Sequence, residues 1–131
     1  MSPQLIKLSR IAGTIALLLG FVHESYTYWF IQDVMNLHSS WRGLVIYMYL
    51  ATGLACFLAA GGIFLSTILP LQNLKASNHI YLISSIFMLI LGIGAPIAMP
   101  DNPFGYISLM QGIFAIAVAL LRYRHLTSKL A

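Results

Sequence analysis

"IYLISSIFMLILGIGAPIAM", residues 80–99, runs for 20 positions without one charged side chain. An apolar run of about 18 or more residues is long enough to cross the ~30 Å hydrocarbon core of a bilayer as a helix. The stretch reads as a transmembrane helix closed by Pro100. Outward from it, three further runs carry the same signature: residues 44–69, stopped by Pro70, residues 104–123 and residues 11–31. The chain of 131 residues is 60% hydrophobic and 8% charged, where an ordinary soluble domain is ~25% charged. These numbers describe an all-α integral membrane protein, a single domain over 1–131 with four transmembrane helices in an antiparallel up-down bundle and no soluble domain.

The connections suit that reading. In "PDNPFG", Asn102 stands before Pro103, an N-cap followed by proline at the first helical position. "PLQNLKASNH" offers Ser77 or Asn78 as a cap for the third helix, and "HSSWR" offers Ser39 or Ser40 for the second. Lys7 and Arg10 before an apolar run imitate a signal peptide, but that run ends in Val22-His23-Glu24 without small residues, so a retained first helix is expected.

Orientation follows from lysine and arginine. Lys7, Arg10, Lys75, Arg122, Arg124 and Lys129 fall on one side; Arg42 alone falls on the other, with Asp33 and Asp101. Both termini are therefore expected in the cytoplasm and, in a bacterium, the host membrane is the inner one. Tyr26, Tyr28, Trp29, Trp41, Tyr47, Tyr49 and Tyr106 then gather as an outer aromatic belt, and the basic tail "RYRHLTSK" snorkels to cytoplasmic phosphates. The net charge of +4 is scattered over chain ends and loops, which argues against a nucleic-acid partner. Cys56, the single cysteine, excludes an internal disulfide and fits helix packing.

Against this background the pair His23-Glu24 is conspicuous. At ~1.5 Å rise per residue, His23 lies about 12 Å and Glu24 about 10 Å below the outer end of the first helix. Thr52 is about 12 Å deep, Gln111 about 10 Å, and Gly92 and Gly94 about 8–11 Å. One polar layer in the outer half is expected, with inner halves almost purely apolar apart from Ser84 and Ser85. A carboxyl facing lipid costs several kcal/mol, so Glu24 should turn inward to partners such as Gln111 and Thr52, in a cavity walled by Tyr28 and Tyr49. Glu24 reads either as a proton or cation site or as a protonated carboxyl serving as structural glue. His23 reads as a ligand or proton relay, or as a satisfied interior histidine.

Other chemistries lack parts. A haem with two histidine ligands needs a second histidine at the depth of His23, whereas His38 is in a loop and His79 and His125 are at the opposite ends. A metal site from His23, Glu24, Asp33 and His38 would require the first loop to fold back into the bundle. Met48, Met99 and Met110 are more simply packing than copper ligands. No catalytic residues, metal site or cofactor are assigned.

Four short helices, little loop and a lone membrane acid in helix 1 resemble the small multidrug resistance transporters in architecture. The six-to-one charge bias, the histidine before Glu24 and the longer first loop depart from that family's pattern, so no substrate residue is carried over. An arginine opening helix 1 and "GFVH" at 20–23 resemble the DoxX-type small membrane proteins over those few residues.

The leading expectation is a protein that binds or transports a small or amphiphilic ligand in an outer-half polar pocket. Glu24 would titrate there, with His23, Gln111, Thr52, Tyr28 and Tyr49 around it. The partners implied are the lipid bilayer, the ligand, and a homo-oligomer or larger membrane complex. The first alternative is a non-catalytic accessory or assembly subunit using Gly53, Cys56 and Ala60 as an external packing face. The second is a membrane enzyme acting on a lipid or quinone, with Glu24 and His23 in acid–base roles.

Overall fold

The computed structural model describes residues 1–68, 74–98 and 100–127, with backbone only at 39–41. It is all-helical: α1 Pro3–Ser25, α2 Thr27–Val34, α3 Ser39–Ile68, α4 Leu74–Ala98 and α5 Pro103–Thr127. Four of these helices contain spans long and apolar enough to cross a membrane: Pro3–Ser25, Arg42–Ile68, Leu74–Ala98 and Pro103–Thr127. Each packs against two others, α1 on α3, α3 on α4, α4 on α5 and α5 back on α1.

The helices are longer at one end than hydropathy predicts. α1 starts at Pro3, not residue 11, because Ser2 caps it by accepting from the Leu5 amide at 3.3 Å and Pro3 fills the first turn. Lys7 and Arg10 thus ride on helix rather than ahead of it. α1 ends at Ser25, where Tyr26 takes φ −83° and ψ −5° and its N–H turns back to the His23 and Glu24 carbonyls. Ser25 Oγ donates to Val22 O at 2.7 Å, and such local hydroxyl bonds bend helices. The expected helix over 11–31 is therefore a long helix, a break and a short α2.

α4 likewise begins at Leu74, so Ser77 and Asn78 are buried inside it and are not its caps. At α5 the reading of the loop holds, since the Phe104 amide donates to Asn102 Oδ1 at 3.0 Å and Pro103 opens the helix. The stops expected at Pro70 and the capping roles of Ser39 and Ser40 lie outside the described residues, as do Met99, the Trp41 side chain and Lys129.

Packing rests on small residues. A side chain cannot be added at Gly92, where a Cβ would stand 2.6 Å from Ser108 O and 2.8 Å from Leu109 Cα, or at Gly112, where it would stand 2.7 Å from Leu89 Cα. These glycines let the α4 and α5 backbones touch, the device that replaces hydrophobic driving force between helices in lipid. Ala16, Ala59, Ala60 and Met88 join α1, α3 and α4; Ile63, Tyr81, Val118 and Ala119 join α3, α4 and α5. Gly53, Cys56 and Ala60 are buried. That stripe is an internal face, which removes the external packing surface behind the accessory-subunit reading.

Outside, the helices are apolar. Ile97 is 76% exposed, Ile68 69% and Ile83 67%, a surface suited to a lipid bilayer and unsuited to water. Replacing Gly112 with Val should lower the unfolding temperature of the detergent-solubilised protein, since overpacking costs about 1–3 kcal/mol. Gly94→Ala, at a position with nothing within 4 Å of the added carbon, should leave it unchanged. A Gly112→Val variant as stable as the parent would contradict this packing.

Candidate functional site

Two polar clusters stand out, one around His23 and Glu24, the other around Arg122. In the first, His23 and Tyr49 staple α1 to α3. His23 Nε2 lies 2.9 Å from Tyr49 O; a carbonyl only accepts, so Nε2 carries the proton. Tyr49 Oη donates in return to His23 O. The Tyr49 ring stacks on His23 with centroids 4.0 Å apart and on Phe30 at 3.9 Å. His23 is thus tied through one nitrogen to the backbone of α3.

Glu24 is half-buried against Gly53. A Cβ at Gly53 would fall 1.7 Å from Glu24 Oε1, so the absence of a side chain there makes the seat for the carboxylate. Glu24 Oε2 accepts from Thr27 Oγ1 at 3.3 Å. Gly53 lies eleven residues inside Arg42, about 16 Å along α3, well within the span. Among the described residues no cationic side chain pairs with Glu24. Sequence reasoning missed Thr27 and Gly53, although Thr27 stands at i+3 from Glu24, on the same helical face by spacing.

Among the described residues, the others expected here are not hydrogen-bonded to Glu24. Gln111 is 3% exposed, and its Nε2 donates to Ala12 O at 2.6 Å. Ala12 precedes Glu24 by twelve residues, about 18 Å along α1, so the single polar layer is divided. Thr52 Oγ1 donates to Met48 O of its own helix at 2.8 Å. Tyr28 is 68% exposed. Gly92 packs on α5, away from Glu24. Among the described residues no three His, Cys, Asp or Glu side chains stand together as a metal site would require.

The second cluster was not anticipated. Arg122, expected to snorkel outward, is 1% exposed. Its Nε donates to Asn78 Oδ1 at 2.9 Å, and its Nη1 to Ser9 Oγ and Ser66 Oγ, each at 3.0 Å. Its Nη2 donates to Ser77 Oγ at 2.7 Å and Ser66 O at 3.4 Å. Every N–H of the guanidinium has an acceptor, and its carbon lies 4.4 Å over the Tyr81 ring. The hydroxyl hydrogens point away: Ser9 donates to Leu5 O, Ser66 to Ile63 O and Ser77 to Ser66 O.

No carboxylate is present in this cage. The three acidic residues of the chain, Glu24, Asp33 and Asp101, have no part in it, so the cation is held by neutral oxygens from α1, α3 and α4 and by a π face. The half of the bundle expected to be almost purely apolar therefore holds a buried charge. The available signal was periodicity: Arg122 follows Ala115 and Val118 on the face of α5 that is buried, while Ser9, Ser66 and Ser77 each sit near a helix end.

Arg122→Ala should strand the oxygens of Ser9, Ser66, Ser77 and Asn78 and cost roughly 3 kcal/mol or more in detergent unfolding, at about 1–3 kcal/mol per stranded buried polar group. Arg122→Lys, a point charge in place of a planar fork, should recover only part of that. Wild-type stability in Arg122→Ala would show the cage to be dispensable.

Searches against protein-family models, curated proteins and solved structures return no match to this chain.

Proposed function

We propose that this multi-pass membrane protein binds a small or amphiphilic cation at Glu24, as a binding or transport protein. The observation that carries this reading is the state of Glu24. It is the one acidic side chain within the four spans, half-buried on a seat made by Gly53, with no cation beside it among the described residues. A carboxylate at such a depth is costly unless a proton or an external cation compensates it. Tyr49, sandwiched between His23 and Phe30, braces α1 and α2 against α3 beside this seat.

The bundle is read as up-down with both termini in the cytoplasm. The six-to-one distribution of lysine and arginine supports this, as does the meeting of Ser9, Ser66, Ser77 and Arg122 at one level. Glu24 and its aromatic neighbours then face the outer half. Four helices enclose little of a path, so transport would require a homo-oligomer.

Tetraphenylphosphonium is a suitable probe, because its charge is permanent and carried by an organic cation. Saturable binding is expected. Glu24→Gln should weaken it roughly tenfold or more, about 1.4 kcal/mol or above. Gly53→Ala should weaken it as well with the charge intact, since the added carbon displaces a flexible carboxylate rather than backbone. Unfolding temperatures close to the parent's are expected for both. Equal affinity in Glu24→Gln would refute the proposal.

A further inference from the structure

A shallow, open depression of about 370 Å³ lies along the outward side of α1 and is lined by residues of that helix, among them Ile6, Lys7, Arg10, Ile11, Thr14 and Ile15. These residues repeat at helical spacing on one face of α1. The opposite face, with Ser9, Ala12, Ala16 and Gly20, is buried in the bundle. Lys7, Arg10, Ile11 and Thr14 are exposed. Among the described residues neither Lys7 nor Arg10 has an ion-pair partner. The depression is therefore two cations one turn apart above a trough of isoleucines with threonine as its small member.

We propose that this depression seats an anionic phospholipid, its phosphodiester held by Lys7 and Arg10 and an acyl chain lying along Ile11, Thr14 and Ile15. The arrangement matches both ends of such a molecule. Cations near the end of a spanning helix draw anionic headgroups. The depression from Lys7 to Ile15 extends about 12 Å down the helix, into the depth where chains lie. A soluble anion would satisfy the cations and leave the apolar trough without a role. A second protein helix would fill the trough and leave two cations facing lipid. The phospholipid is the occupant that answers both, and the site is independent of Glu24 and of any ligand there.

The test is lipid retention. The full chain is reconstituted in vesicles of equal phosphatidylglycerol and phosphatidylcholine, released into mild detergent and weighed by native mass spectrometry. The parent should retain phosphatidylglycerol in clear preference to phosphatidylcholine. The double change Lys7→Gln with Arg10→Gln should reduce the retained phosphatidylglycerol roughly tenfold or more. Lys75→Gln with Arg124→Gln, which removes the same charge from two exposed positions elsewhere, should leave retention near the parent's. Thr14→Trp, which fills the trough without changing charge, should lower it as well. Unfolding temperatures near the parent's are expected throughout, because all these side chains face outward. Equal loss in the two double variants, retention that survives Thr14→Trp, or a parent without headgroup preference would each overturn the lipid seat.

Discussion

A guanidinium inside a lipid-embedded bundle must find an oxygen for each N–H, because no water is at hand to supply one. Arg122 meets that demand with side chains and backbone of three other helices: Ser9 of α1, Ser66 of α3, and Ser77 and Asn78 of α4. Much of the architecture follows from this requirement. The helices must converge tightly enough at that end for hydroxyls as short as serine to reach one side chain. α4 must start early enough, at Leu74, for Ser77 and Asn78 to be helical and turned inward. The close glycine contacts between α4 and α5 hold the two helices that carry most of the cage against each other.

The two ends of the polar interior are built on opposite plans. Around Arg122 charge is dispersed over many fixed neutral dipoles, and the surroundings are complete. Among the described residues Glu24 accepts from one hydroxyl, Thr27, and rests on a seat defined by the lack of a side chain at Gly53. Between them lie the small apolar contacts of Ala16, Ala59, Ala60 and Met88. The first plan suits a permanent structural tie. The second suits a group that exchanges its partner.

The spans were legible because length and hydropathy are one-dimensional properties, and the Asn102–Pro103 start of α5 because capping is local. Pairing was not. Counting depth along each helix from its expected outer end placed Gln111 beside Glu24, but depth says nothing about which face a residue turns or how helices cross. The Gln111 amide found a backbone carbonyl, Ala12 O, a partner no residue type announces. Thr52 satisfied itself on its own helix. Arg122 was misread because a cation near a helix end ordinarily snorkels. Its burial depends on serines scattered over the chain, one of them 113 positions away. At Glu24 the residue itself was legible from its rarity, while its seat was not, since a glycine carries no chemical signal.

The direction of the hydroxyls in the Arg122 cage has a consequence for traffic through the bundle. Ser9, Ser66 and Ser77 each give their hydrogen to a backbone carbonyl and receive one from the guanidinium. Every chain of hydrogen bonds in the cage therefore starts at a nitrogen that holds its protons firmly and stops at a carbonyl that has none to pass on. Such an arrangement cannot relay a proton by successive hops. Among the described residues, the cage is a tie between helices and an insulator at that level of the bundle, not a path for protons.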